Sequence, residues 1–166
     1  MKLRRLCTGL LWLVIPLLFT GCGGGSKSAP PSGSITINPA TSSWSVSAAN
    51  PIEAQLEPVI ITVKDASGIP LGNDRVIVSL DLSQGTSTNV VMGLMLADPT
   101  TGQPTGSVLT APVALFTSNS GTIDLWVDMA TGGKLVYTGT LFAYSGSIEG
   151  TAVFSVTCTA SGTATC

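Results

Sequence analysis

Apolar and polar residues alternate with a period of two along most of this chain, and no stretch after residue 34 carries a convincing helical period. Short runs rich in Val, Ile, Thr and aromatics are bounded by Gly, Pro, Asn and Asp, the pattern of an all-β sandwich. The runs predict strands over 34–38, 43–47, 59–64, 75–82, 90–96, 113–117, 122–129, 135–143 and 151–158. The alternation also assigns faces. Val59, Ile61 and Val63 share one face, with Ile60, Thr62 and Lys64 on the other. Val76, Val78 and Leu80 point together, as do Ile123, Leu125, Val127 and Met129, and Ala152, Phe154 and Val156.

The first 34 residues read differently. Met1-Lys2-Leu3-Arg4-Arg5 precedes an apolar stretch from Leu6 to Thr20, followed by Gly21-Cys22. A basic start, a short apolar run and small residues at a cut site mark a secretory signal. The run is shorter than the ~20 apolar residues a bilayer span requires, and Pro16 interrupts it. Residues 23–34, GGGSKSAPPSGS, have no apolar face to bury and form a flexible tether with one stiff Pro-Pro step. The chain thus divides into a signal peptide (1–21), a linker beginning at Cys22 (22–34) and one domain (35–166), a length that suits a single core.

Leu18-Phe19-Thr20-Gly21-Cys22 resembles the lipobox of bacterial lipoproteins, with Phe19 where Leu is commoner. The resemblance implies cleavage after Gly21, a diacylglyceryl thioether on Cys22 and acylation of the new amino group. Cys7 is then discarded. Two or three acyl chains, at ~0.8 kcal/mol per buried methylene, anchor firmly where one holds marginally. Gly23 after the lipid-bearing Cys, by analogy with enterobacterial lipoproteins, directs the protein to the outer membrane.

Three further segments, ITVKDASGIPL (61–71), TSNSGTIDLWVDM (117–129) and YTGTLFAYSGSIEGTAVFSVT (137–157), resemble bacterial immunoglobulin-like domains of the invasin and intimin type. There a strand ends in a V-x-D-x-x-G-x-P turn, an N-x-G turn introduces a later strand, and a Y-T-x-T strand and hairpin close the chain. Asp65 and Gly68 suit a tight turn and Pro70 a strand edge, and Tyr137 stands where such sandwiches place a tyrosine corner. The implied fold is an immunoglobulin-like β-sandwich. Residues 83–112 depart from the pattern as an inserted hairpin or loop. Two readings of it stay open: an ordinary strand pair completing the sandwich, or a segment whose Val90, Met92, Leu94 and Met95 offer a partner an adaptable apolar patch.

Charge and cysteine usage narrow the function. The chain is 44% hydrophobic and only 10% charged, with no histidine. That excludes Ser-His-Asp and Cys-His nucleophiles, His-ligated zinc and c-type haem attachment. Without the signal segment four cations face nine acids, a net charge of −5. An acidic chain without a basic stripe does not suit nucleic acid. The acids are scattered, so the expectation is a protein that is not an enzyme and carries no cofactor. Asp65, Asp74, Asp81 and Asp98 sit where turns use Asp, and no calcium-loop spacing links them. Cys158 and Cys166 remain after lipidation, and in an exported protein they most simply pair, closing a small C-terminal loop. Asp124-Leu125-Trp126-Val127-Asp128 puts Leu125 and Val127 in the core and Trp126 outward between two carboxylates. This is either a platform for a sugar ring or a Trp covering a neighbouring strand or lying under the 83–112 segment. The expected function is a non-catalytic envelope module that binds another envelope protein, with glycan binding at Asp124, Trp126 and Asp128 as the alternative.

Overall fold

The computed structural model describes residues 31–49, 54–83, 91–109, 111–130 and 136–163. The signal segment and Cys22 lie outside the described residues, as do Val90 and Cys166.

Among the described residues ten strands run in chain order: β1 (Ser32–Asn38), β2 (Thr41–Ser47), β3 (Ala54–Asp65), β4 (Arg75–Ser83), β5 (Val91–Ala97), β6 (Pro104–Leu109), β7 (Val113–Phe116), β8 (Thr122–Ala130), β9 (Tyr137–Ser145) and β10 (Ile148–Thr159). They form two five-stranded sheets, β1-β3-β8-β5-β6 and β2-β10-β9-β4-β7. The four strands β1, β3, β8 and β5 reproduce the A-B-E-D sheet of an immunoglobulin-like sandwich, and β10, β9 and β4 its G-F-C sheet. The chain leaves the first sheet after β1, passes the cis Asn38–Pro39 bond, and re-enters as β2, parallel to β10 in the second. All other pairings are antiparallel.

The period of two fixes which row faces the core. β9 alternates strictly between buried and half-buried along its nine residues. Val59, Ile61, Val63, Val76, Val78, Leu125, Val127, Met129, Ala152, Phe154 and Val156 are all nearly inaccessible, as their phases predict. Burying each large aliphatic or aromatic side chain contributes about 1.5–3 kcal/mol, so the facing rows hold the two sheets together. Residues 83–112 supply the β5–β6 hairpin, with β5 paired to β8 inside the first sheet.

The two turns read from the sequence dock on each other. Asp65 accepts the Ser67 and Ile69 N–H groups at 2.8 and 2.9 Å, and Gly68 takes φ +82°. Gly121, at φ +73°, packs against Val63 O, Pro70 and Leu71 N so closely that a Cβ there would lie within 3.0 Å of each. Thr117 ties the same corner: its hydroxyl donates to Leu71 O at 2.6 Å and accepts from Asp74 N at 2.8 Å.

Candidate interaction surfaces

The 90–95 segment does not form the apolar surface patch considered above. Met92 and Leu94 are 3% and 1% exposed, pairing across β8 with Met129 and Val127 in the core row. Only Met95 turns outward, beside Trp126, and Val90 lies outside the described residues. The reason is the pleat: residues 92 and 94 share a face that 95 cannot join. A nearly unbroken apolar run hides that phase.

Trp126 does face outward, with Asp124 and Asp128 on the same face of β8 and with Pro58 and Met95 as lateral neighbours. Its indole N–H is donated to Gly102 O, 3.0 Å away in the β5–β6 turn. On the next row of this face, the Val108 side chain of β6 lies over Gly93, filling the space that a Cβ would need. The hairpin therefore covers part of this face and holds the indole against it. Asp124 is exposed, while partial burial pushes the Asp128 carboxyl above the ordinary aspartate range.

The outer face of the second sheet is different. Register places Ala114, Ile77, Tyr144 and Glu149 in one row across β7, β4, β9 and β10. The next row carries Ser79, Phe142 and Thr151, and the one after it Asp81, Thr140 and Val153. Phe142 and Tyr144 stack with centroids 6.0 Å apart and planes 7° from parallel. Phe116, 60% exposed, sits diagonally from Ile77 and directly opposite Arg75. Ile77 and Val153 are each 38% exposed. Among the described residues no element is layered on this face. Sequence reasoning passed over it, although the signal was present in YTGTLFAYS as two aromatics on the outward row of a central strand.

The remaining chemistry is local. Asp98 accepts the Thr100 and Thr101 N–H groups, both at 2.8 Å, which hold its carboxyl below the ordinary range. Asp74 accepts the hydroxyls of Ser145 at 2.6 Å and Ser32 at 3.2 Å, beside a shallow recess lined also by Pro31, Gly146, Ser147 and Ile148. These bonds pin the point where the preceding segment enters β1. Asp81 lies exposed on the second sheet's outer face. Among the described residues no three Asp, Glu, His or Cys side chains gather around a common point. Cys158 is disulfide-bonded, and its partner lies outside the described residues. Tyr137 is 4% exposed, but its hydroxyl makes no hydrogen bond with a described residue, so among these it does not close the corner in the way a tyrosine corner does. Burial, and then the nearby Asp128 charge, push that hydroxyl up to about 12.

No protein-family model matches the chain, and no curated protein matches it. Among solved structures it is similar to an ASH/PapD-like domain of human CEP192 (PapD-like domain 7). The two share 12% identity over 81% of this chain and 92% of that one, with a TM-score of 0.43. It is also similar to WR4, an MSP family member of C. elegans, with 12% identity over 75% of this chain and 97% of that one and a TM-score of 0.40. Neither likeness bears on function.

Proposed function

We propose that this chain is a non-catalytic, lipid-anchored module of the cell envelope, seated at the outer membrane through Cys22, that docks a protein on the outer face of its second sheet. The observation that carries this reading is the open apolar patch that Phe116, Ile77, Tyr144 and Phe142 form across three adjacent rows, with Arg75 beside it. A solvent-facing strand row has no structural need for two stacked aromatics and an Ile. Aromatic and Arg side chains gathered on one open face are the composition of protein-docking centres. The lipobox and the tether support the location, and the likeness of 61–71, 117–129 and 137–157 to invasin-type domains supports an adhesive or accessory role. Glycan binding at Trp126 is the weaker reading, because the indole N–H is already committed to Gly102.

The test is a pair of outward substitutions that keep strand propensity, Ile77→Thr with Phe116→Thr, in the full chain in its own envelope. The expected result is an unchanged melting temperature within a few degrees and loss of the proteins that co-purify with the wild type. Retention of the same proteins would overturn the assignment of this face.

A further inference from the structure

We infer that the protein bound on the second sheet's outer face is a second copy of this chain, the two packed face to face about a twofold axis that runs along β9. The inference rests on the docking reading of that face and names its occupant. An axis along β9 lays β4 of each copy over β10 of the other, because these strands flank β9 on opposite sides. Phe142 and Tyr144 then meet their own counterparts at the axis, where stacked rings pack self-complementarily. Ile77 of one copy lies over the Glu149 position of the other, since both are in register with Tyr144. Arg75, two residues before Ile77 on the same outward row, reaches that Glu149 carboxylate. Arg75 makes no ion pair with a described residue, so the pairing satisfies opposite charges twice by symmetry.

Two more features fit. β9 spans nine residues at the centre of a five-stranded face, so each copy offers roughly 600 Å² at ordinary strand spacing, enough for a small, reversible dimer. An axis parallel to the strands also leaves both Ser32 ends at the same end of the pair, as two chains tethered to one membrane require. The first sheet's outer face also exposes Leu56 and Ile60, but the β5–β6 hairpin covers part of it.

The symmetry makes the test direct. A residue at the axis is juxtaposed with itself, so Tyr144→Cys in the full chain should give a disulfide-linked dimer in the intact envelope. Ile60→Cys, on the opposite outer face, should stay monomeric. Phe142→Cys is the parallel variant should Tyr144→Cys not fold. Combining Tyr144→Cys with Arg75→Glu should cut the dimer yield several-fold, and adding Glu149→Arg should restore it. Two results would overturn the inference: a Tyr144→Cys chain that reacts with a small thiol probe yet forms no dimer, or equal dimer from Ile60→Cys. A photoreactive phenylalanine analogue in place of Tyr144 separates the two readings. Adducts only with a different protein overturn self-pairing and leave the docking face standing, whereas no adduct at all overturns both.

Discussion

Tyr137 shows how a single buried group shapes the pH response. Its hydroxyl is removed from water without a partner among the described residues, which costs about 1–3 kcal/mol for a neutral donor. Tyr137→Phe should therefore leave stability unchanged or raise it by about 1 kcal/mol, measured by denaturant melts at neutral pH. The folded hydroxyl titrates at about 12 against an ordinary 10.0. The unfolded chain consequently loses this proton first as pH rises, and stability present below pH 10 falls away between 10 and 12. Tyr137→Phe should remove that alkaline loss. Asp128→Asn should shrink the loss without removing it, bringing the upper end of the window below 12 while the onset near 10 stays, because the Asp128 charge is only the second cause of the shift. Trp126 is the other informative residue. With its N–H on Gly102, Trp126→Phe should cost about 1 kcal/mol through the lost hydrogen bond and loosen the β5–β6 turn. A substitution that left the melting temperature untouched but abolished binding on a glycan array would restore the sugar platform.

At the scale of elements, the turns carry unequal loads. Gly68 and Gly121 both hold positive φ, yet nothing lies within 4 Å of a Cβ at Gly68, while Gly121 is wedged between two chain segments. Gly68→Ala should cost only backbone strain of about 1 kcal/mol. Gly121→Ala adds a clash with Val63 O and Leu71 N and should cost clearly more, about 2 kcal/mol or above. Thermal melts of the two variants side by side check the ranking, and equal costs would mean that the two turns do not brace each other. The end of β10 holds a further element-level expectation. Cys158 is disulfide-bonded, and a bond to Cys166 would pin the tail with roughly 2–3 kcal/mol of chain-entropy gain at most. Peptide mapping without reductant should recover the 158–166 link, and an alkylated Cys166 in native protein would dismiss it.

For the molecule as a whole, location and assembly are separable. Cys22→Ala should abolish fatty-acid labelling and release the domain from membranes after a carbonate wash. Because the proposed docking face belongs to the sandwich and not to the tether, the released domain should still give the Tyr144→Cys dimer, at a lower yield set by dilution. A membrane-bound Cys22→Ala protein would end the lipoprotein assignment while leaving the face untouched.

The division between what the chain spells out and what only folding decides follows from the range of the forces involved. Strand period and turn chemistry are local, so nine of the ten strands among the described residues and the inward rows of β3, β4, β8 and β10 are legible in the residues themselves. β6 is not, because Pro104 and Gly106 (φ +82°) disguise a strand that pairing with β5 sustains. The face of Met92 and Leu94 is equally hidden, since an apolar run carries no phase until β8 sets the register. The surface is the most non-local property of all. Phe116, Ile77, Tyr144 and Phe142 come from three strands, β7, β4 and β9, brought side by side only in the second sheet. Only the Phe142 and Tyr144 pair stands out on its own strand. The sequence determines where each strand runs and which rows turn inward, because the pleat acts residue by residue. Which outward rows join into one open face is decided by sheet order, a tertiary property set by how two whole layers bury their shared core.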